Sequence, residues 1–210
     1  MDDILIIDDA VSKETMDHLE KLVTSVIFPW HYHHTSAYSL DDIKKLGLTE
    51  EFVINSVDTP FMSHILWNDG PNSNFTNDFL PTAEVIPNID DYTVVRFKLN
   101  LTFPSPGCNE NTHSYPHCDL FYLKEDYLTA IYYINDSVGD TFIFNEKWGH
   151  FGALTVKQRI TPKKGRLVVF NGKLLHAGNN PLVGNAGRLV ANINLIKKTV
   201  DKQIVSNYSV

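Results

Sequence analysis

Two side chains with metal-binding chemistry lie two residues apart in the middle of the sequence. They are His117 and Asp119, separated by Cys118 and preceded by Pro116. Proline disfavours a helical conformation for the residue before it, so this segment favours an extended chain. In an extended chain, residues two apart point to the same face. The pair therefore predicts two ligands of a metal site, and Cys118 is expected to pack on the opposite face.

A third ligand has to come from a distant stretch that folding brings close. His176 is the best candidate, because it follows an apolar strand pattern and a turn at Asn171-Gly172. Two histidines and one carboxylate on one side of an ion leave the opposite positions free, which is the facial triad of non-haem Fe(II) oxygenases. Further along, Arg188 begins another apolar strand pattern. A guanidinium buried there needs a partner, and a carboxylate ligand matches its planar fork.

The elements that must position these residues divide the chain into two parts of one domain, 1–210. Residues 1–82 are predicted to be mostly helical support, and residues 83–200 to be the β-rich core. In the first part, Ser12 is a suitable N-cap for a helix that ends before Pro29.

A second helical pattern covers residues 52–66, where Pro60 interrupts it. The next stretch, 68–81, is rich in Asn, Gly, Pro and Asp, which predicts a loop.

The second part of the chain has the pattern of a β protein. Alternating or apolar runs separated by turn residues predict strands at 92–103, 127–135, 140–144, 153–160, 165–170 and 187–197. Short strands without intervening helices favour an antiparallel sandwich or barrel.

The composition excludes several classes of protein. Acidic residues outnumber basic ones, 25 to 18, giving a net charge of −7, so a nucleic-acid partner is not expected. Two cysteines do not make a disulfide scaffold. The acidic N-terminus and the lack of a run of about twenty apolar residues predict a cytoplasmic protein without a membrane segment.

Several motifs occur in a specific order over residues 93–197, about half of the chain. They are His117-x-Asp119, Thr129-Ala130-Ile131-Tyr132-Tyr133, Gly139-Asp140-Thr141-Phe142, Pro162-Lys163-Lys164-Gly165-Arg166, His176 and Arg188. This set resembles the 2-oxoglutarate/Fe(II)-dependent dioxygenase superfamily, in its prolyl 4-hydroxylase-like branch. It is similar in particular to the short members of that branch that are common in marine bacteria and phages. If the protein is viral, the expected location is the cytoplasm of the host.

The resemblance implies a mainly β fold with N-terminal helices, a double-stranded β-helix that forms a jelly-roll-like, cupin-type barrel. It implies that His117, Asp119 and His176 bind Fe(II) and form the catalytic centre. It also implies that 2-oxoglutarate is the cosubstrate and that its far carboxylate pairs with Arg188 and Tyr133. The resemblance further implies that O2 is the oxidant and that succinate and CO2 are products, with ascorbate as the reductant that could maintain Fe(II).

Two positions depart from the family pattern. The strand that begins at Thr141 is preceded by Val138-Gly139, where relatives often have Gly-Gly. Phe103 follows the long strand where relatives often have an upstream Tyr, and Phe cannot donate a hydrogen bond. Asp119 is a carboxylate, which argues against the halogenase variant of the family.

Other polar residues leave alternatives open. Arg96, Lys98 and Asn100 share one strand face, which either contacts a ligand or is solvated. Asn192 and Asn194 alternate in the last strand, and one of them is expected to face the metal cavity. His113 is expected at the mouth of the site or in solvent, and the cluster of His31, His33 and His34 in a solvated loop.

The function also has alternatives. A prolyl residue of a peptide or protein is the first substrate expected by analogy, and a small molecule is equally defensible. Loops 68–81 and 104–115 are expected to shape specificity. The rival hypotheses are a non-catalytic barrel that binds a ligand or partner, and a cupin-type metal enzyme without a cosubstrate. The sequence indicates neither the substrate nor the oligomeric state.

Overall fold

The computed structural model describes residues 4–35, 45–182 and 187–198. Within them the elements follow one another in chain order. They are β1 (Leu5–Ile7), α1 (Lys13–Val23), β2 (His31–His33), β3 (Phe61–Asn68), α2 (Thr76–Glu84), a 3-10 helix (Ile89–Asp91), β4 (Tyr92–Thr102), β5 (Tyr127–Tyr133), β6 (Thr141–Lys147), β7 (Val156–Ile160), β8 (Leu167–Asn171), β9 (Leu174–Gly178) and β10 (Arg188–Lys197).

The strands form two antiparallel sheets. The large sheet has the order β1-β8-β5-β10-β4-β3-β2, and the small sheet has the order β7-β6-β9. Because strands that are distant in sequence are neighbours in space, β10 lies between β4 and β5 at the centre of the large sheet. This mainly β architecture is a double-stranded β-helix, as predicted.

The helices cover the outer face of the large sheet. Helix α1 begins after Ser12, whose side-chain oxygen accepts a hydrogen bond from the backbone amide of Thr15 at 3.1 Å, as expected for an N-cap. Apolar residues of α1 and α2, such as Leu19 and Phe79, are fully buried and share one core cluster with the outward side chains of β5 and β10.

The inner face of the large sheet meets the small sheet. Along β5, Leu128, Ala130 and Tyr132 belong to the outer cluster, whereas Ile131 and Tyr133 belong to a second cluster between the sheets. Since side chains alternate along a strand, one strand lines both cores. The functional residues predicted from the sequence lie on this inner side.

The predicted strands of the second part are confirmed, with small differences at their ends. The prediction of a helical pattern over 52–66 is wrong, because residues 52–60 contain only turns, irregular backbone and a single bridge residue, and Phe61–Asn68 is strand β3. A register shift between Ile65 and Trp67 breaks the alternation by which a strand is recognised in the sequence. The loop predicted at 68–81 is also wrong in part, since α2 begins at Thr76.

The prediction of mostly helical support over residues 1–82 is therefore wrong for the described ranges. Strands β1, β2 and β3 all lie in this part and all join the large sheet. The helix predicted after Ser12 is confirmed, although it ends at Val23, well before Pro29. Among the helices of the described ranges, none has the length and apolar character needed to cross a bilayer.

Candidate metal centre

Two backbone hydrogen bonds place His117 directly beside His176. The amide of each residue donates to the carbonyl of the other, both at 3.0 Å, in an isolated antiparallel bridge. Strand β9 carries His176, so the bridge attaches the segment of His117 to the edge of the small sheet. The chain turns immediately afterwards, at Asp119. The expected extended strand over 117–119 is thus a single bridge residue followed by a turn.

The three predicted ligands nevertheless converge. One ligand atom from each of His117, Asp119 and His176 lies within 4.8 Å of the others. Nε2 of His176 is 3.4 Å from Oδ2 of Asp119. Such a group of two imidazoles and one carboxylate is compact enough to surround a single ion.

Each imidazole is oriented by its own backbone. Nδ1 of His117 donates to the carbonyl of Tyr115 at 2.9 Å, and Nδ1 of His176 donates to the carbonyl of Leu174 at 3.1 Å. A carbonyl only accepts, so Nδ1 of each ring carries a proton and Nε2 is the nitrogen left for a metal. Burial lowers the pKa of His117 to about 4, which keeps that ring neutral. Both rings are therefore prepared as metal ligands.

Asp119 is held by a network of donors. Oδ1 accepts from Nη2 of Arg96 at 2.5 Å, while Oδ2 accepts from the side-chain amides of Asn192 and Asn194, both at 3.0 Å. Thr129 lies 3.4 Å from the same oxygen. Burial on its own would raise the pKa of Asp119, but the Arg96 guanidinium holds that pKa well below its usual range. The carboxylate is ionised and fixed in position.

This network bears on the alternatives that the sequence left open for strands β4 and β10. Arg96 bonds both Asp119 and Oδ1 of Asn194, so the solvated-face interpretation is wrong for it. Lys98 and Asn100 line the same cavity as the triad. One of Asn192 and Asn194 was expected to face the metal cavity, and in the structure both contact Asp119.

The cavity also contains buried polar atoms that have no hydrogen-bond partner among the residues that the structure describes. They are Nε2 of His176, Oδ1 of Asn192, Oδ1 of Asn100 and Oγ1 of Thr102. Unpartnered buried polar groups are costly, and each requires an explanation such as a bound ion or ligand. A donor set of two imidazole nitrogens and a carboxylate suits a divalent transition metal such as Fe(II). The residues present therefore fit the expected metal.

Arg188 lies at another part of the same cavity wall. Its Nε donates to the carbonyl of Gly139 at 2.8 Å, and its Nη2 donates to Oγ1 of Thr141 at 2.6 Å. The side chain is buried, and burial lowers its pKa. Over residues 4–35, 45–182 and 187–198, no carboxylate lies within 4.0 Å of this guanidinium. A buried cation in a cavity is a natural binding point for an anion.

Tyr133 is fully buried beside Arg188. Its ring centre is 5.6 Å from the guanidinium carbon, and its hydroxyl is 2.6 Å from Oγ1 of Thr141. Thr141 thus contacts both residues. Tyr133 therefore lies next to Arg188, as expected if both contact the same ligand. Its contact with a cosubstrate stays a prediction.

Two other predictions concern residues outside the cavity. Cys118 is buried among Phe52, Phe142 and Leu175 on the far side of the small sheet, which confirms its predicted packing role. His113 is buried against Phe142, with ring centres 5.1 Å apart, so its expected place at the mouth or in solvent is wrong. The segment His31–His33 is an exposed edge strand where a solvated loop was expected.

Sequence reasoning missed Thr129, Gly139 and Thr141 as members of the site. For Thr129 a signal existed, because it is two residues from Ile131 and four from Tyr133 on the inward face of β5. For Gly139 and Thr141 the contacts to Arg188 depend on a neighbouring strand that sequence alone does not place.

Comparisons with known proteins agree with this architecture at the level of the fold. No family model matches the sequence, and no curated protein matches it. Among solved structures, a 2OG-Fe(II) oxygenase family protein from Burkholderia pseudomallei superposes with a TM-score of 0.60 at 10% identity, over 91% of this chain and 84% of that chain.

Two further structures are similar. The non-haem α-ketoglutarate-dependent epimerase SnoN from nogalamycin biosynthesis has a TM-score of 0.59 at 10% identity, over 94% of this chain and 80% of that chain. A prolyl hydroxylase from Trichoplax adhaerens, in complex with a hypoxia-inducible factor peptide fragment, has a TM-score of 0.54 at 12% identity, over 92% and 83%. The chain thus has the double-stranded β-helix fold of 2-oxoglutarate and Fe(II) dependent oxygenases.

Proposed function

We propose that the protein is an Fe(II)- and 2-oxoglutarate-dependent dioxygenase that hydroxylates its substrate. The observation that carries this proposal is the convergence of His117, Asp119 and His176 in a cavity that also contains the guanidinium of Arg188, which pairs with no carboxylate of the described residues. In the overall reaction, substrate, O2 and 2-oxoglutarate give hydroxylated substrate, succinate and CO2.

The metal ligands are Nε2 of His117, Nε2 of His176 and a carboxylate oxygen of Asp119. When bound, iron and 2-oxoglutarate supply the oxidising chemistry, and the protein orients them and excludes water. The backbone carbonyls of Tyr115 and Leu174 hold the rings in the correct tautomer. Arg96 holds Oδ1 of Asp119, and Oδ2, which also accepts from the amides of Asn192 and Asn194, lies 3.4 Å from Nε2 of His176.

Arg188 binds the far carboxylate of 2-oxoglutarate in this proposal. Gly139 and Thr141 hold two of its nitrogens, so the guanidinium is fixed before the ligand arrives. Along β10, Arg188 and Asn192 are four residues apart, roughly 13 Å at the usual rise of a strand. Because Asn192 contacts Asp119, this spacing leaves room for a ligand between the metal and Arg188. Tyr133 supports the same end of the cavity through Thr141.

The test is succinate formation from 2-oxoglutarate in the presence of Fe(II) and ascorbate. We expect turnover in the wild type with at least one member of a panel of prolyl peptides and small carboxylic acids, and loss of turnover in His117→Ala. His150→Ala is the matched control, because His150 is exposed, lies outside the cavity and has its side chain against the carbonyl of Ala153. Equal background rates in the wild type and in His117→Ala across the panel contradict the proposal.

Measurements on the same proteins distinguish the expected prolyl substrate and the two rival functions from one another. Hydroxylation of a prolyl peptide would assign the prolyl 4-hydroxylase-like activity that the sequence motifs imply. Binding of metal and 2-oxoglutarate without any turnover would assign the non-catalytic binding barrel instead. Metal binding without any increase of the melting temperature by 2-oxoglutarate would assign the cupin-type alternative.

A further inference from the structure

A second cation lies in the cavity, and the proposed roles of the metal ligands and Arg188 leave it unused. Lys98 is on β4, opposite Asn192 of β10 in the strand register, and it lines the cavity together with His117 and Asp119. Its ammonium is 5.5 Å from the ring centre of Phe61. Lys98 is therefore close to the metal end of the cavity, whereas Arg188 lies four residues along the neighbouring strand.

The ammonium of Lys98 has no direct ion-pair partner among the described residues, although the nearby charge of Asp119 raises its pKa. In the described part of the chain, no carboxylate oxygen lies within 4.0 Å of its ammonium, whereas Arg96 on the same strand face is paired with Asp119. Burial lowers the pKa of Lys98 to about 8, which leaves most of the side chains charged at pH 7. A half-buried cation that has an aromatic ring but no anion beside it favours an anionic ligand.

A cleft lies next to the metal cavity, on the far side of Phe61, the residue whose ring is near Lys98. We call it the distal cleft, and apolar side chains dominate its lining: Tyr32, Pro60, Phe61, Met62, Phe103 and Pro104. Phe61, Thr59 and Asn180 belong to both the distal cleft and the metal cavity, so the two are adjacent.

The junction of cleft and cavity is built by Asn180. Its Nδ2 donates to the carbonyl of Phe103 at 2.7 Å, and its Oδ1 accepts from the hydroxyl of Thr59 at 3.0 Å. Asn180 is buried and fixes both walls of the cleft. Tyr32 and Phe103 are exposed at its outer end, where apolar surface is available to a ligand.

We propose that the primary substrate is a small molecule with an apolar body, which occupies the distal cleft, and a carboxylate, which binds Lys98. This inference rests on the proposed function, in which Arg188 is already engaged by 2-oxoglutarate. Lys98 then orients the substrate over the metal through one charge-assisted contact, and the apolar walls select the rest of the molecule.

The probes are 3-phenylpropionate and its neutral amide, which share a shape and differ in charge. Their affinities are measured by calorimetry on the protein loaded with Mn(II), a redox-quiet ion, and saturating 2-oxoglutarate, which occupies the Arg188 end. We expect the carboxylate to bind about tenfold more tightly than the amide, as a charge-assisted contact predicts. In Lys98→Met the preference disappears, and in Lys98→Arg it persists. Lys13→Met, at an exposed lysine of α1, keeps the wild-type preference.

Several outcomes overturn the inference. They are equal affinities of acid and amide in the wild type, an unchanged preference in Lys98→Met, or a prolyl peptide whose affinity is the same in Lys98→Met and the wild type. Competition of 3-phenylpropionate with 2-oxoglutarate assigns Lys98 to the cosubstrate and also overturns it.

Binding of Mn(II) and 2-oxoglutarate to Lys98→Met at wild-type affinity shows that the variant is folded. If 2-oxoglutarate binds neither protein while the Lys98-dependent preference for the acid remains, the proposed function fails and the carboxylate site stands.

Discussion

At the scale of single residues, the position of Asp119 depends on its donors as much as on its own sequence position. Arg96 takes one of its oxygens, and the amides of Asn192 and Asn194 take the other. A carboxylate buried without such partners would be protonated or would rotate away from the imidazoles. Partners of this kind behind a metal ligand commonly affect metal affinity by 10–100-fold, as an order of magnitude.

Replacing Arg96 therefore tests this arrangement. In Arg96→Met we expect Mn(II) to bind roughly 10–100-fold more weakly than in the wild type, because Asp119 loses the contact that orients it. Isothermal titration calorimetry measures the affinity. Arg159→Met is the control, since Arg159 pairs with Asp140 at a partly exposed position. An Arg96→Met protein that binds Mn(II) with unchanged affinity would show that the ion pair does not position the ligand.

The ligand residues were predictable from the sequence, and their supporting residues were predictable only in part. His117, Asp119 and His176 stand out because few other stretches combine these residue types with strand patterns and turns in that order. Arg96 and Lys98 were known to share a face, but alternation alone does not tell which face of a sheet is inward. Burial by the small sheet decides it, and that is a property of the tertiary structure.

At the scale of elements, the site depends on how closely two loops approach one another. Gly139 precedes β6, and its carbonyl holds Arg188. A Cβ atom at this position would lie 2.5 Å from the backbone oxygen of Asn179 and 2.7 Å from that of Asn180. Since backbone atoms cannot move aside as a flexible side chain can, this position requires glycine. The sequence here is Val138-Gly139, so Gly139 is the glycine that this close approach uses.

Gly139→Ala is expected to be destabilised by about 1–3 kcal/mol, the usual cost of overpacking. It should also bind 2-oxoglutarate more weakly, because the displaced carbonyl no longer holds Arg188. Thermal unfolding and calorimetric titration with 2-oxoglutarate measure the two effects. In the control, Gly152→Ala, the added carbon meets only the side chain of His150 at 3.4 Å. Wild-type values of both quantities in Gly139→Ala would contradict the predicted close approach.

Strand β3 shows why element types were only partly predictable. Its buried residues include Phe61, Ser63, His64 and Leu66, a spacing that fits neither a regular strand nor a single face of a helix. The register shift between Ile65 and Trp67 changes which residues face inward. Short apolar runs are ambiguous between helix and strand, and a bulge removes the alternation that would decide between them.

At the scale of the whole molecule, an ion pair as well as strand pairing attaches the N-terminal strand β1 to the large sheet. Asp8 follows β1 and accepts from Nε and Nη2 of Arg166 at 2.7 and 3.1 Å, in a bidentate ion pair. Lys163 adds a contact at 3.2 Å. The Arg166 side chain lowers the pKa of Asp8 to about 2. The ion pair connects the end of the edge strand β1 to the start of β8, just before the chain enters α1.

Because the pKa of Asp8 is lower in the folded protein than its ordinary value of 3.8, the pair stabilises the fold fully above that value. The stabilisation is lost as the pH falls toward 2. We expect Asp8→Asn to lose at most about 1 kcal/mol of unfolding free energy at pH 7, since the side chain is partly exposed. The difference from the wild type should shrink between pH 5 and pH 3, as measured by urea unfolding.

Asp90→Asn, at an exposed position in the 3-10 helix, controls for the change in net charge. A difference between Asp8→Asn and the wild type that is as large at pH 3 as at pH 7 would show that the ion pair is not its source.

The convergence of His117, Asp119 and His176 on one ion is the claim on which the proposed activity depends, and calorimetric titration with Mn(II) tests it most directly. The wild type and His150→Ala are expected to bind one ion per chain with equal affinity, and His176→Ala is expected to lose that binding, because one of three ligands is removed. Binding of one ion by His176→Ala with wild-type affinity, or no binding by a folded wild type, would contradict the account.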